Sequence, residues 1–137
     1  MNKWVGAAAI CINSDGQLLM VLQGKPEEEK RWSVPSGGKE QDETLEECCV
    51  REVYEETGYR CKINKEIKGK SGAFGPVEYH VTYFEVEILG GQPTIHDPDG
   101  LIYDIAWKTS EQLNDLCFSF PEDKEFLLQY IEQRTLN

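Results

Sequence analysis

The stretch Gly37–Tyr59, GGKEQDETLEECCVREVYEETGY, decides how this chain reads. Thr44 followed by Glu47 predicts a capping box, in which hydroxyl and carboxylate satisfy the free N–H groups that open a helix. Gly58 stands where a left-handed C-cap belongs, after a last helical residue near Thr57. Between the caps, Leu45, Cys49 and Val53 recur at four-residue spacing with Val50 beside them, which predicts a core-facing stripe. The second half breaks ordinary rules. Glu52, Glu55 and Glu56 stand at i, i+3 and i+4 and so share one face, in line with Leu45, Cys48 and Cys49 one to two turns earlier. They also occupy the last turns, where the helix dipole favours cations. Mutual repulsion and the dipole both oppose the arrangement, and such local conflicts tend to mark functional sites. A bound divalent cation relieves both, and an oxygen-rich site suits Mg2+ or Mn2+. The plain alternative is a solvated acidic face.

Gly37, then Glu43, then the run Arg51-Glu52-Val53-Tyr54-Glu55-Glu56-Thr57-Gly58-Tyr59 match at fixed spacing the signature of the Nudix (MutT-like) hydrolases. Over this stretch, about a sixth of the chain, the sequence resembles that family. It departs at Tyr59, where the family usually has an aliphatic residue, and at Ser36, where relatives often have another glycine.

The resemblance implies a metal-dependent hydrolase that cleaves the diphosphate bond of a nucleoside diphosphate linked to another group. Carried over by position, Glu52, Glu55 and Glu56 are the metal-binding set, joined by the backbone carbonyl of Ser36. Glu52 is the candidate to activate water, although some relatives use a loop glutamate. Here the later acids are Asp97, Asp99, Asp104 and Glu78, each equally readable as an exposed turn or strand residue. Arg51 and Glu43 are implied to orient the catalytic glutamates, with Gly37 and Gly58 shaping the motif. Read only as a helix residue, Arg51 stands four from both Glu47 and Glu55 and can bridge them, for about 0.2–0.5 kcal/mol per pair.

A chain of 137 residues is expected to form one domain with a single sizeable core. Its net charge of -11 argues against a nucleic-acid polymer held through many phosphates, but not against one small nucleotide whose phosphates a metal neutralises. The cysteines at 11, 48, 49, 61 and 117 are odd in number and lack metal-ligand spacing, which predicts reduced thiols in a cytoplasmic protein. Ala7-Ala8-Ala9 superficially resembles a signal-peptide cleavage site, but the segment before it is too short. No stretch is long enough to span a membrane, and a monomer or homodimer is expected.

Along the chain, Trp4 to Ile12 and Gln17 to Gln23 are apolar on both faces around Asn13-Ser14-Asp15-Gly16, which predicts a hairpin of strands covered on two sides. Residues 24–31 read as a solvated loop. Lys25 and Arg31 there are surface charges or candidates to reach a substrate phosphate. Arg60 to Lys70 reads as a weakly amphipathic strand, Ser71 to Pro76 as a loop, and Glu78 to Leu89 as a strong strand. Gly90-Gly91-Gln92-Pro93 predicts a turn, residues 96–100 a polar loop, Leu101 to Trp107 a strand and Ser110 to Leu116 a short helix. Ser119 with Glu122 predicts a second capping box, ahead of a terminal amphipathic helix carrying Phe126, Leu127, Tyr130 and Ile131. Strands mixed with about three helices predict an α+β chain built as a three-layer α/β/α sandwich with a central mixed sheet. The resemblance implies the Nudix fold.

Substrate identity lies outside the signature. Patterns of the NADH and coenzyme A relatives are absent. Pro76 lies near where ADP-ribose enzymes tend to have a proline, and Tyr79 or Tyr83 can stack on a base or simply pack. The expected partner is a small nucleotide or nucleotide sugar. Two other classes remain: a regulatory module that binds a nucleotide without hydrolysing it, and a plain divalent-cation binder, against which the missing 12-residue Ca2+ loop pattern argues.

Overall fold

The computed structural model describes residues 2–135, with side chains described for 3–134. In chain order the elements are β1 (Asn2–Ile10), β2 (Leu18–Gln23), β3 (Arg31–Ser33), β4 (Ser36–Gly38), α1 (Leu45–Thr57), β5 (Tyr59–Phe74), β6 (Val77–Gly91), β7 (Ile102–Lys108), α2 (Ser110–Leu113) and α3 (Asp123–Thr135).

The β layer consists of two sheets, one ordered β4-β1-β6-β5 and the other β3-β2-β7. β1 runs parallel to β6, while the other pairs are antiparallel, so the layer is mixed. The expected hairpin of β1 and β2 closes only at its turn. Asn13 N–H donates to the Gln17 carbonyl, and Ile12 bridges Leu18. Beyond that the strands part into different sheets. Each finds a longer ladder elsewhere, β1 with β6 and β2 with β7.

Alternation along the central strands sorts the core into two sides. Ala7, Ala9, Cys11, Leu19 and Phe84 pack with Cys48, Cys49 and Val53 of α1. Ala8, Ile10, Leu18, Met20 and Tyr83 pack with Leu127 and Ile131 of α3. Helix, sheet layer and helix therefore stack as the sequence predicts, because β1 and β2 are apolar at odd and even positions alike. Ala7–Ala9, the stretch resembling a cleavage site, is fully buried strand. No helix among the described residues is long and apolar enough to cross a membrane.

Three expectations are corrected. Residues 71–76 are not a loop: β5 runs to Phe74, and only Gly75-Pro76 turns before β6 begins. Ladder pairing with β6 outweighs the weak strand preference of Ser, Gly and Ala there. Register shifts at Arg60/Cys61, Ile63/Lys65 and Glu66/Lys68 interrupt the two-residue period, which explains why β5 reads as weakly amphipathic. Gly90 and Gly91, expected in a turn, end β6. The capping box at Ser119 and Glu122 does not form. α3 starts at Asp123, Ser119 Oγ accepts from Gln23, and Lys70 claims the Glu122 carboxylate. α2 does carry a capping box, from Thr109 and Gln112, which the sequence reading missed.

α1 is bounded as predicted. Thr44 and Glu47 make both arms of the capping box, and Gly58 closes the helix at φ 78. A Cβ on Gly58 would lie 2.3 Å from the Gln92 carbonyl oxygen and 2.7 Å from the Thr94 nitrogen. Gly58→Ala therefore meets a left-handed backbone penalty of about 1–2 kcal/mol plus a clash with backbone. Thr44→Ala, which removes one cap, should cost about 1 kcal/mol. Urea unfolding of the two variants should show the larger loss for Gly58→Ala, and the reverse order would contradict the docking of residues 92–94 on this helix end.

Candidate active site

The site is built on the C-terminal half of α1 and organised by one guanidinium. Arg51 donates from Nε to Glu43 Oε2 at 2.6 Å and from Nη2 to Glu43 Oε1 at 2.9 Å, a bidentate fork. Its Nη2 also reaches the Gly38 carbonyl at 2.9 Å, while Nη1 donates to Glu52 and Glu55 at 3.2 Å each. Glu40 stands 3.6 Å from Nη1. The pairing with Glu55 agrees with the helix spacing. The pairing with Glu47 does not occur, because Glu47 folds back onto the Thr44 N–H. Glu43, from the loop before the helix, takes its place.

One cation faces four carboxylates, and the charge is shared unevenly. The Arg51 hydrogen bonds hold the Glu43 carboxyl down at about 2. Glu52 is pushed up to about 8, chiefly by burial and then by hydrogen bonding to Glu55, despite Arg51. Glu56 is 6% exposed and lies well above the usual carboxylate range, through burial and the charge of Glu52. It accepts a hydrogen bond from the Ser36 N–H at 3.3 Å, which places the Ser36 backbone at the site. Burial also pushes the neighbouring Cys48 thiol up to about 11, so it is not a thiolate at neutral pH.

Gly37 passes so close to α1 that a Cβ there would lie 1.6 Å from Glu52 Oε2. Its lack of a side chain is what lets Glu52 fold against β4. Tyr59 packs at 6.0 Å from the Trp107 ring and accepts from its Nε1 at 3.4 Å, a structural place.

The loop after β6 adds a residue that the sequence reading could not single out. Thr94 N–H donates to the Thr57 carbonyl at 2.9 Å and His96 N–H to the Glu55 carbonyl at 2.7 Å. Both are orphan acceptors at a helix end. The His96 ring stacks on Tyr54 with centroids 5.0 Å apart. This docking carries Asp97 close enough for its charge to raise both Glu52 and Glu56. Asp97 is fixed by accepting from the Ile102 N–H at 3.1 Å and from the Leu101 N–H. Asp99 is exposed, Asp104 accepts from the next residue's own N–H on β7, and Glu78 pairs in register with Lys3 near the β5–β6 turn.

Among the described residues, no group of three or more His, Cys, Asp or Glu is disposed to grip a metal ion as it lies. Arg51 occupies Glu52 and Glu55 instead. The donor chemistry nonetheless fits a hard divalent cation: Glu52, Glu55, Glu56 and Asp97 are oxygen donors on one side of a helix end, two of them desolvated and short of positive charge.

Across β4 from the glutamates, a cavity of about 410 Å3 is lined by Ser36, Trp4, Tyr79, Tyr83, Phe120 and Lys70, among others. Lys25 and Arg31 line a separate, more open hollow of about 600 Å3, which shares Phe120 with that cavity. Arg31 there stands 3.8 Å from Glu29.

The family model described as "NUDIX domain" matches residues 2–130. A putative 8-oxo-dGTP diphosphatase of Bacillus subtilis (strain 168) is 37% identical over 87 residues, covering 64% of this chain and 55% of that protein. Nucleoside triphosphatase NudI of Enterobacter sp. (strain 638) is 33% identical over 95 residues, covering 63% of this chain and 67% of that protein. Other curated relatives are matched over less of their length: 17% of putative nudix hydrolase 1 of Caenorhabditis elegans and 36% of mouse diphosphoinositol polyphosphate phosphohydrolase 3-alpha. Among solved structures, a NUDIX hydrolase from Nitrosomonas europaea superposes with a TM-score of 0.81 at 21% identity, covering 98% of this chain and 90% of that one. The Escherichia coli ORF135 protein gives 0.79 at 19%, covering 100% and 94%. These likenesses show the fold.

Two outcomes follow from the geometry. Glu52 and Glu56 have folded pKa values above their unfolded ones, so the folded chain binds more protons above the usual value near 4.5, for Glu52 up to about 8 and for Glu56, raised by burial, in the same direction. Their contribution to stability is present in full below that window and is lost as pH rises through it. In chelator the melting temperature should fall from about pH 5 to about pH 8, and Glu56→Gln should flatten the fall; identical slopes would show that Glu56 is not desolvated. Gly37→Ala meets the carboxylate end of the Glu52 side chain rather than backbone, so it should leave the melting temperature in chelator within a few degrees of wild type. Because it displaces that carboxylate, it should weaken Mn2+ binding at least about tenfold by calorimetry.

Proposed function

The chain belongs to the Nudix family, and on that premise we propose that it is a divalent-metal-dependent hydrolase cleaving the diphosphate bond of a small nucleotide or nucleotide-sugar substrate. The observation that carries this reading is the pair of desolvated carboxylates, Glu52 and Glu56, held by Arg51 and the Ser36 N–H at one helix end. Buried acids in that state lack positive charge, and a metal-bound polyphosphate site supplies it.

Glu52, Glu55 and Glu56, with the Ser36 carbonyl, are the proposed residues that hold Mg2+ or Mn2+. The ion, when bound, neutralises phosphate charge and lowers the pKa of water. Glu52 is the proposed proton acceptor from the attacking water, since burial makes it more basic than a free carboxylate. Asp97, delivered by the docked loop, is the alternative acceptor or a further ligand. Arg51 and Glu43 act as positioning residues, because the fork between them fixes the guanidinium that holds Glu52 and Glu55. The cavity behind Ser36 is the proposed seat of the base, with Trp4 and Tyr79 available for stacking. Lys25 and Arg31, on the neighbouring hollow, are proposed to draw the anionic substrate in. The names of the Bacillus and Enterobacter relatives agree with a nucleotide substrate. A single chain, alone or as a homodimer, in the cytoplasm completes the reading.

A nucleotide panel assayed by phosphate release with Mg2+ or Mn2+ tests this. Turnover should vanish in chelator, and Glu52→Gln should lower kcat by about 100-fold or more with the fold intact by circular dichroism. Tight nucleotide binding without turnover of any panel member would replace the enzyme by a sensing module.

A further inference from the structure

The cavity behind Ser36 is mostly apolar, but it holds one group of charged residues. Lys70 of β5 donates to Asp123 Oδ1 at 3.0 Å and to Glu122 Oε2 at 3.1 Å, and Tyr83 donates its hydroxyl to Asp123 Oδ2 at 2.7 Å. The three charged groups differ in what they can offer a ligand. Asp123 has both oxygens engaged and a side chain only 7% exposed, so it anchors the group. Lys70, 17% exposed, is held charged: burial alone would lower its pKa, but hydrogen bonds with Tyr83, Asp123 and Glu122 outweigh burial and raise it. Glu122, 52% exposed, is the loosely held member.

We propose that Lys70 and Glu122 are the specificity-determining pair of this cavity and select a nucleobase with a lactam edge, a ring carbonyl beside a ring N–H. The proposal rests on the reading of the cavity as the seat of the base. An ammonium is a donor only and favours the carbonyl oxygen, which carries more negative charge than a ring nitrogen. A carboxylate is an acceptor only and favours the lactam N–H, a more acidic donor than an exocyclic amine. Hypoxanthine, guanine, uracil and thymine present that edge; adenine and cytosine present an amidine in its place. Discrimination follows because Lys70 and Glu122 are the charged groups left to meet the base in a wall otherwise mostly apolar, with Val77, Val81 and Phe120 among it. The remaining polar groups, the Ser33, Ser36 and Tyr79 hydroxyls and the Trp4 indole N–H, are neutral and hydrogen-bond a mismatched edge more weakly. Asp123, saturated by Lys70 and Tyr83, keeps the ammonium in place without competing for the base.

Inosine and adenosine 5'-triphosphates differ only at the edge in question and test the proposal directly. With Mg2+ and the full chain, kcat/KM should favour inosine by about tenfold or more, expressed mainly in KM. In Lys70→Met and in Glu122→Gln the ratio should collapse towards one. The second variant changes a half-exposed side chain, so it reports even if the first does not fold. Equal use of the two nucleotides by wild type, or a ratio unchanged in a folded variant, overturns the proposal. If neither nucleotide is turned over, the hydrolase reading is decided separately by the wider nucleotide panel, and the cavity is tested by binding. Quenching of tryptophan fluorescence should then still show tighter binding of inosine than adenosine, lost in Glu122→Gln, whereas equal affinities would overturn the pair's role.

Discussion

The fork between Arg51 and Glu43 is the contact on which the site depends. A guanidinium on the exposed side of a helix is mobile, and a row of glutamates beside it would splay apart by repulsion. Glu43 removes that freedom by holding Nε and Nη2 at once, and the Gly38 carbonyl takes a further donor. The remaining donors then face Glu52 and Glu55. One positive charge cannot neutralise four carboxylates. The fork therefore fixes the geometry of the acids while leaving the site short of cationic charge, which is the condition a metal-binding centre requires.

The helix end solves a second problem with the same atoms. The last carbonyls of α1 have no partners within the helix, and burying them unpaired would be costly. Gly58 turns the chain and closes onto Tyr54, while Thr94 and His96 from the loop after β6 satisfy Thr57 and Glu55. The backbone requirement of the helix thus draws in a distant loop and sets Asp97 beside Glu52 and Glu56. Stability of the cap and composition of the site are linked through two backbone hydrogen bonds.

The split of the β layer has its own consequence. β1 leaves β2 after the turn and takes β4 as a partner, so Gly37 and Ser36 lie directly over the acids. The other side of the same short strand borders the cavity in which Lys70 meets Glu122 and Asp123. A three-residue strand consequently separates the charged centre from the apolar chamber, and Ser36 belongs to both.

What the sequence determined by itself was the helix, its two caps, the shared face of Glu52, Glu55 and Glu56, and the layering implied by strands apolar on both sides. All of these rest on contacts within four residues or on a strict period, and local spacing encodes both. Only the tertiary structure decided that Arg51 takes Glu43 rather than Glu47, since a capping box at the helix start competes for Glu47. It alone distinguished Asp97 from Asp99, Asp104 and Glu78, because the docking of a loop on a helix end some forty residues earlier leaves no periodic trace. It also overrode local signals at Ser71–Pro76, where a ladder with β6 extends the strand. At Glu122, a lysine 52 positions away takes the carboxylate from the expected cap. Local chemistry settles which element a residue joins; the partner of a buried charge is settled by whichever distant group the packed chain brings within reach.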